Sequence, residues 1–183
     1  METSIERASQ ASPKDAGIGP SDPARGGKEA GNPAMPGGLW NRLLALTARS
    51  LPAYLFRTRP WVSGRYAELW DAMQEIAGEH REFAAKLAQQ IVRRGGVPNP
   101  GNYPGVYTAW HDLSLEFLAE RVIRELRRGA TDLEAVGGGA GSDAALSKAA
   151  ESLRRLFLDE AERLQTLLDD VRKEAPAPPD GAA

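Results

Sequence analysis

Cysteine is absent from the 183 residues, and with it go disulfides, thiolate metal sites and cysteine nucleophiles. That composition suits a reducing cytosol. An excess of positive charge is also missing, since 23 Lys and Arg stand against 25 Asp and Glu, so nothing in the totals draws the chain to nucleic acid or to an anionic membrane. No run of about 18 apolar residues exists to span a bilayer. The opening METSIERASQASPKD carries acidic residues and lacks the apolar centre of a secretory signal, which leaves the cytoplasm as the expected location. Neither a strand of useful length, nor an internal repeat, nor a nucleophile–base pair, phosphate loop or complete metal motif can be drawn along the chain.

What the chain does have is helical periodicity between two polar ends. Residues 1–37 hold much of the Pro and Gly, few large apolar side chains and no period, and read as a disordered N-terminal tail. Residues 175–183, APAPPDGAA, read as a disordered C-terminal tail. Between them the patterning predicts one all-α domain over 38–174, with helices at about 38–57, 65–94, 107–136 and 143–173. The first is short and carries Trp40, Leu43, Leu44, Leu51, Tyr54 and Leu55 on one face, and Pro52 predicts a kink or break after Ser50. Ser63-Gly64 starts the second helix and Gly95-Gly96 stops it; Ser142 is the expected cap of the fourth, with Asp143 in its first turn.

The second helix is the longest uninterrupted signal. Its apolar seam runs through Tyr66, Leu69, Met73, Ile76, Phe83 and Leu87 in steps of three and four, and the one polar member of the series is His80. The fourth helix repeats the pattern with Ala150, Leu153, Phe157, Leu164, Leu167 and Val171, interrupted by Glu160. Thr47 holds the comparable place in the first helix. The third centres its apolar stripe near Leu118 and turns His111 and Glu125 inward. If the helix centres lie level, these side chains meet in one layer, where Glu160 requires a partner, a proton or a metal. Between the second and third helices, GGVPNPGNYPG is an extended connector of 11 residues that reaches about 36 Å, against about 45 Å for a helix of about 30 residues. Both a crossover and an up-down order are compatible with it, the crossover requiring the path to continue through Val106 to Thr108 or the next helix to start partway along.

A bundle with inward carboxylates and a histidine in a central layer resembles the ferritin-like superfamily, whose di-iron members place a Glu on each of two helices and Glu-x-x-His on each of the other two. Here Ala77-Gly78-Glu79-His80 keeps the histidine and replaces the glutamate, while Glu160-Ala161-Glu162-Arg163 keeps the glutamate and replaces the histidine. The stretch LFLDEAERLQTLL also resembles the last helix of bacterioferritin- and rubrerythrin-like proteins. The resemblance implies a ferritin-like four-helix bundle over about 38–173 with a degenerate di-iron site: His80, Glu125 and Glu160 would be the remaining metal ligands, and Thr47, Ala77 and Arg163 would occupy ligand places. Arg163 would neutralise Glu160, or a His–Glu contact would do so. The function implied is a non-catalytic structural or interaction protein with no resident cofactor; the alternative is a protein binding iron or another divalent metal through an altered ligand set. Trp70, Leu113 and Phe117 are apolar positions through which helix faces could form a homo-oligomer. Tyr103, Tyr107 and Trp110 are expected to cover one end of the bundle, with a small-molecule pocket among them as a further option.

Overall fold

The computed structural model describes residues 38–110 and 113–174; the two expected tails and His111 lie outside them. The described residues form five α-helices, α1 (Gly38–Ala48), α2 (Leu51–Thr58), α3 (Ala67–Arg93), α4 (Leu115–Gly138) and α5 (Ala144–Lys173), with short 3-10 turns at Gly64–Tyr66 and Gly105–Trp110. Among the described residues no strand is formed, and no helix is long and apolar enough to cross a membrane.

The first helix is broken where proline dictates. Pro52 has no amide hydrogen to offer the preceding turn, so α1 ends at Ala48 and α2 begins at Leu51 with Ser50 as its N-cap. Helix α3 stops at Arg93, with Arg94 as its C-cap. Gly95 takes the left-handed conformation (φ 74°), and the amides of Gly95 and Gly96 return to the carbonyls of Val92 and Ile91, a Schellman closure that a residue with a Cβ resists. Two boundaries depart from the sequence expectation. The third helix begins at Leu115, capped by Ser114, because residues 105–110 form a 3-10 turn instead of its first turns. Asp143, not Ser142, caps α5, accepting a hydrogen bond from the amide of Leu146.

Side-chain contacts at the two ends set the topology. At one end Trp40 at the start of α1 donates its indole N–H to Asp143 at the start of α5 (3.0 Å), and Arg94 at the end of α3 lies over the Trp40 ring at 4.3 Å. At the other end Tyr66, just before α3, donates to Glu116 at the start of α4 (3.3 Å), and Arg172 at the end of α5 donates to the same carboxylate (2.7 Å). Helix α1 is therefore antiparallel to α3, α4 is antiparallel to α5, and α3 and α4 run parallel. Only a crossover satisfies this. The connector leaves the end of α3 and runs back along the first helical segment, where Asn41 binds both Val97 and Asn99, Arg49 donates to the Gly101 carbonyl at 2.7 Å, and the Tyr103 ring meets Tyr54 at 5.4 Å. The missing reach is supplied by the 3-10 turn at Gly105–Trp110.

The core is aliphatic and continuous, with Leu43, Leu69, Ile76, Leu118, Val122, Leu153 and Leu164 fully enclosed. On α5 the buried line ends at Leu168, whereas the heptad series pointed to Leu167 and Val171. A straight helix drifts about 20° per heptad from a 3.5-residue seam, and by its last turns that drift exchanges one leucine for its neighbour. Trp70 and Phe117 pack partly against the core, while Leu113 stays exposed.

Candidate functional site

Three polar side chains are buried among the described residues, Thr47, His80 and Glu160. Their surroundings differ. His80 sits midway along α3, and its Nε2 lies 2.8 Å from Glu160 Oε2 on α5. Its Nδ1 lies 2.7 Å from the Oγ of Ser50. Assigned from this network, the tautomer with hydrogen on Nε2 donates to the Glu160 carboxylate and accepts the Ser50 hydroxyl hydrogen at Nδ1, so both ring nitrogens are satisfied. The Phe157 ring packs on the imidazole with centroids 4.9 Å apart.

Glu160 carries the electrostatic tension of the site. Burial pushes its carboxyl above the ordinary carboxylate range, the hydrogen bond and charge of His80 pull it back, and the neighbouring Glu79 adds to the rise. Its Oε1 is buried with no hydrogen-bond partner. Arg163 does not neutralise it: the guanidinium turns outward and pairs with Glu75, both groups being about half exposed. Position 163 follows Glu160 by three residues, but the long side chain reaches for water and a surface carboxylate instead of the core. The buried partner is the histidine alone.

The other expected members of the layer do not join it. Thr47 is enclosed, yet its hydroxyl donates to the carbonyls of Leu43 and Leu44 in its own helix (3.2 and 3.1 Å), and Ala77 offers no donor atom. Glu125 is half-buried and lines a separate cavity. Among the described residues no group of three or more His, Cys, Asp or Glu side chains is gathered to hold a metal ion. Two metals bridged by carboxylates need about six ligands, and a set holding a back-bonded threonine, an alanine and an outward arginine does not fit that centre.

Ser50 is the member that sequence reasoning missed. The signal was present: a serine directly before Leu51-Pro52 is a helix N-cap with proline in the first turn. The order Ser50–His80–Glu160 has the composition of a nucleophile relay. However, the same Oγ accepts the Ala53 amide at 3.4 Å as the cap of α2, which makes it a helix terminus tied to the core.

A cavity of about 240 Å³ opens beneath the crossover strap. Its walls come from Ser50 and Pro52 at the helix break, Pro104 and Tyr107 of the strap, Glu125 of α4 and Phe157 of α5. Tyr107 belongs to this wall beside the middle of α4 and α5, not over one end of the bundle as expected of the aromatic cluster; Tyr103 and Trp110 lie outside the lining, with the Trp110 ring tilted against Tyr107 at 5.4 Å. Burial, and after it the charge of Glu125, hold the Tyr107 phenol in its protonated form well above the usual range. Comparison with protein-family models, with curated proteins and with solved structures finds no match to this chain.

Proposed function

We propose that the chain is a ferritin-like helical bundle that serves as a structural or interaction protein and lacks a complete di-iron site. Support for the fold assignment comes from the single long crossover between parallel α3 and α4, since one long crossover is the connection pattern of ferritin-like bundles. The observation that carries the functional reading is the His80–Glu160 contact at 2.8 Å. It fills the middle of the bundle with a histidine–carboxylate pair, where a metal would otherwise supply the compensating charge. A cytoplasmic setting belongs to the same proposal, on the absence of cysteine. Metal analysis of the purified protein, together with an Fe(II) oxidation assay, tests it. Substoichiometric iron and oxidation no faster than in buffer are expected; one metal per chain, lost on His80→Ala, would overturn it.

One observation favours a second reading, a metal-binding protein with an altered ligand set. Glu160 Oε1 is enclosed without a partner, and an orphaned carboxylate oxygen beside an imidazole is what a divalent cation would complete. Titration with Zn(II), Mn(II) and Fe(II) separates the two, because only this reading requires saturable binding that His80→Ala and Glu160→Gln each remove.

A further inference from the structure

The cavity under the strap has a chemistry distinct from that of the buried pair. Its floor is apolar, formed by Leu51, Pro52, Leu126 and Phe157, and the Tyr107 ring closes one side. Of the hydrogen-bonding groups on the lining, Ser50 is consumed by His80 and the Ala53 amide. Arg49 donates to the Gly101 carbonyl and lies over the Tyr103 ring at 4.9 Å, so the one cation on the wall is turned onto the strap itself. Glu125 has no hydrogen-bond or ion-pair partner among the described residues, and the same holds for the Tyr107 hydroxyl.

We infer that this cavity is a binding site for a small organic ammonium ion with a short apolar stem, its charge held by Glu125 and its stem laid on Leu126, Pro52 and Phe157. A ligand that covers the half-buried Glu125 carboxylate displaces its water and must return a compensating charge. A neutral ligand of the same shape would strip water from Glu125 and return nothing, and an anion would be repelled by it. The Tyr107 ring beside the carboxylate adds the attraction that aromatic faces offer to ammonium groups. Size favours a short stem: about 240 Å³ lies below the roughly 300–1,000 Å³ of pockets that enclose drug-sized ligands and admits an alkylamine. This inference goes beyond the structural role proposed above and leaves the His80–Glu160 pair untouched.

The test uses the full chain and three probes of one shape, n-butylammonium, n-butanol and butyrate, at fixed ionic strength, followed by calorimetric titration and thermal shift. Saturable binding of the ammonium alone is expected, weakened about tenfold or more by Glu125→Gln, a substitution at a half-exposed position that preserves size. Circular dichroism of the variant confirms that it folds, and Pro52→Leu, which recontours the floor without altering charge, gives a second line of loss. The inference is overturned if the ammonium does not bind, if butanol or butyrate binds as tightly, or if Glu125→Gln binds the ammonium unchanged.

Discussion

Gly129 of α4 and Phe157 of α5 occupy one volume: a Cβ on residue 129 would stand 2.7 Å from ring atom Cε2 and 2.8 Å from Cδ2. Glycine inside a helix costs about 1 kcal/mol relative to alanine, and here that cost lets α4 approach the ring that packs on His80. Gly129→Ala therefore brings two opposed effects. Regained helix propensity returns about 1 kcal/mol, and overpacking against the ring costs about 1–3 kcal/mol. A net loss of about 1 kcal/mol is expected by urea denaturation, and combined with Phe157→Leu the penalties should add to less than their sum.

Removing the histidine tests the buried pair. His80→Ala leaves Glu160 enclosed without its partner and opens a hole beside Phe157, and breaking a buried pair in this way costs about 3–5 kcal/mol. The double variant His80→Leu with Glu160→Leu should recover most of that loss, because apolar replacement of a whole buried pair is often neutral. Equal instability in the single and double variants would mean that the pair is not what the core depends on.

Arg163→Ala is the matched control. Its partner Glu75 is 59% exposed and the guanidinium 48%, and exposed pairs contribute about 0–1 kcal/mol. A change in midpoint near zero is expected, against the large shift at His80, and the contrast separates the surface partner from the buried one.

The pH dependence follows from the direction of the Glu160 shift. A carboxyl whose folded pKa is raised binds its proton more tightly in the folded state, so its contribution is present at low pH and is lost as pH rises from the ordinary value of 4.5 through the folded pKa. Glu151 acts in the opposite sense: Arg154 and Arg155 draw it down to about 2, and its contribution disappears as pH falls below 4.5. The clean measurement is the difference between wild type and Glu160→Gln across pH 4 to 8. Wild type should lose ground relative to the variant as pH rises, while Glu151→Gln should show the reverse trend at the acid end.

Asp143 joins three elements through one carboxylate, since it caps the Leu146 amide and receives the Trp40 indole N–H while Arg94 lies 3.6 Å away. Loss of an N-cap side chain costs about 0.5–2 kcal/mol, and the indole hydrogen bond adds about 1 kcal/mol. Asp143→Ala is expected near the sum, about 2 kcal/mol, with Asp143→Ser retaining roughly half through the cap alone.

Helix existence and facing were legible because apolar spacing at three and four residues is a property of the chain itself; His80 and Glu160 stood out for interrupting it. The break after Ser50 was legible from Pro52 for the same reason. Residues 107–110 read as the start of the third helix because their aromatic spacing fits either a helical face or the packing of a strap, and only the packing of Tyr107 against Tyr54 and Trp110 decides between them. Nor could the sequence choose Arg163 or His80 as the neighbour of Glu160, since both lie within reach of an ideal bundle layer and the outward turn of a long side chain is settled by water and by Glu75. The choice between a crossover and an up-down order was likewise open until the two ends of the bundle were matched through Trp40, Asp143, Tyr66 and Glu116.

The strap gives the molecule an unusual divisibility. It is the sole covalent link between two helical hairpins, α1–α2 with α3 on one side and α4 with α5 on the other, and the halves are otherwise joined by their apolar faces and by side-chain contacts such as His80–Glu160, Trp40–Asp143 and Tyr66–Glu116. A chain opened between Gly95 and Gly105 would yield two fragments that each present one apolar face, with His80 on one and Glu160 on the other. Their reassembly would regenerate the histidine–carboxylate contact from separate molecules, so the protein carries within its connection pattern the parts of a two-component complementation system.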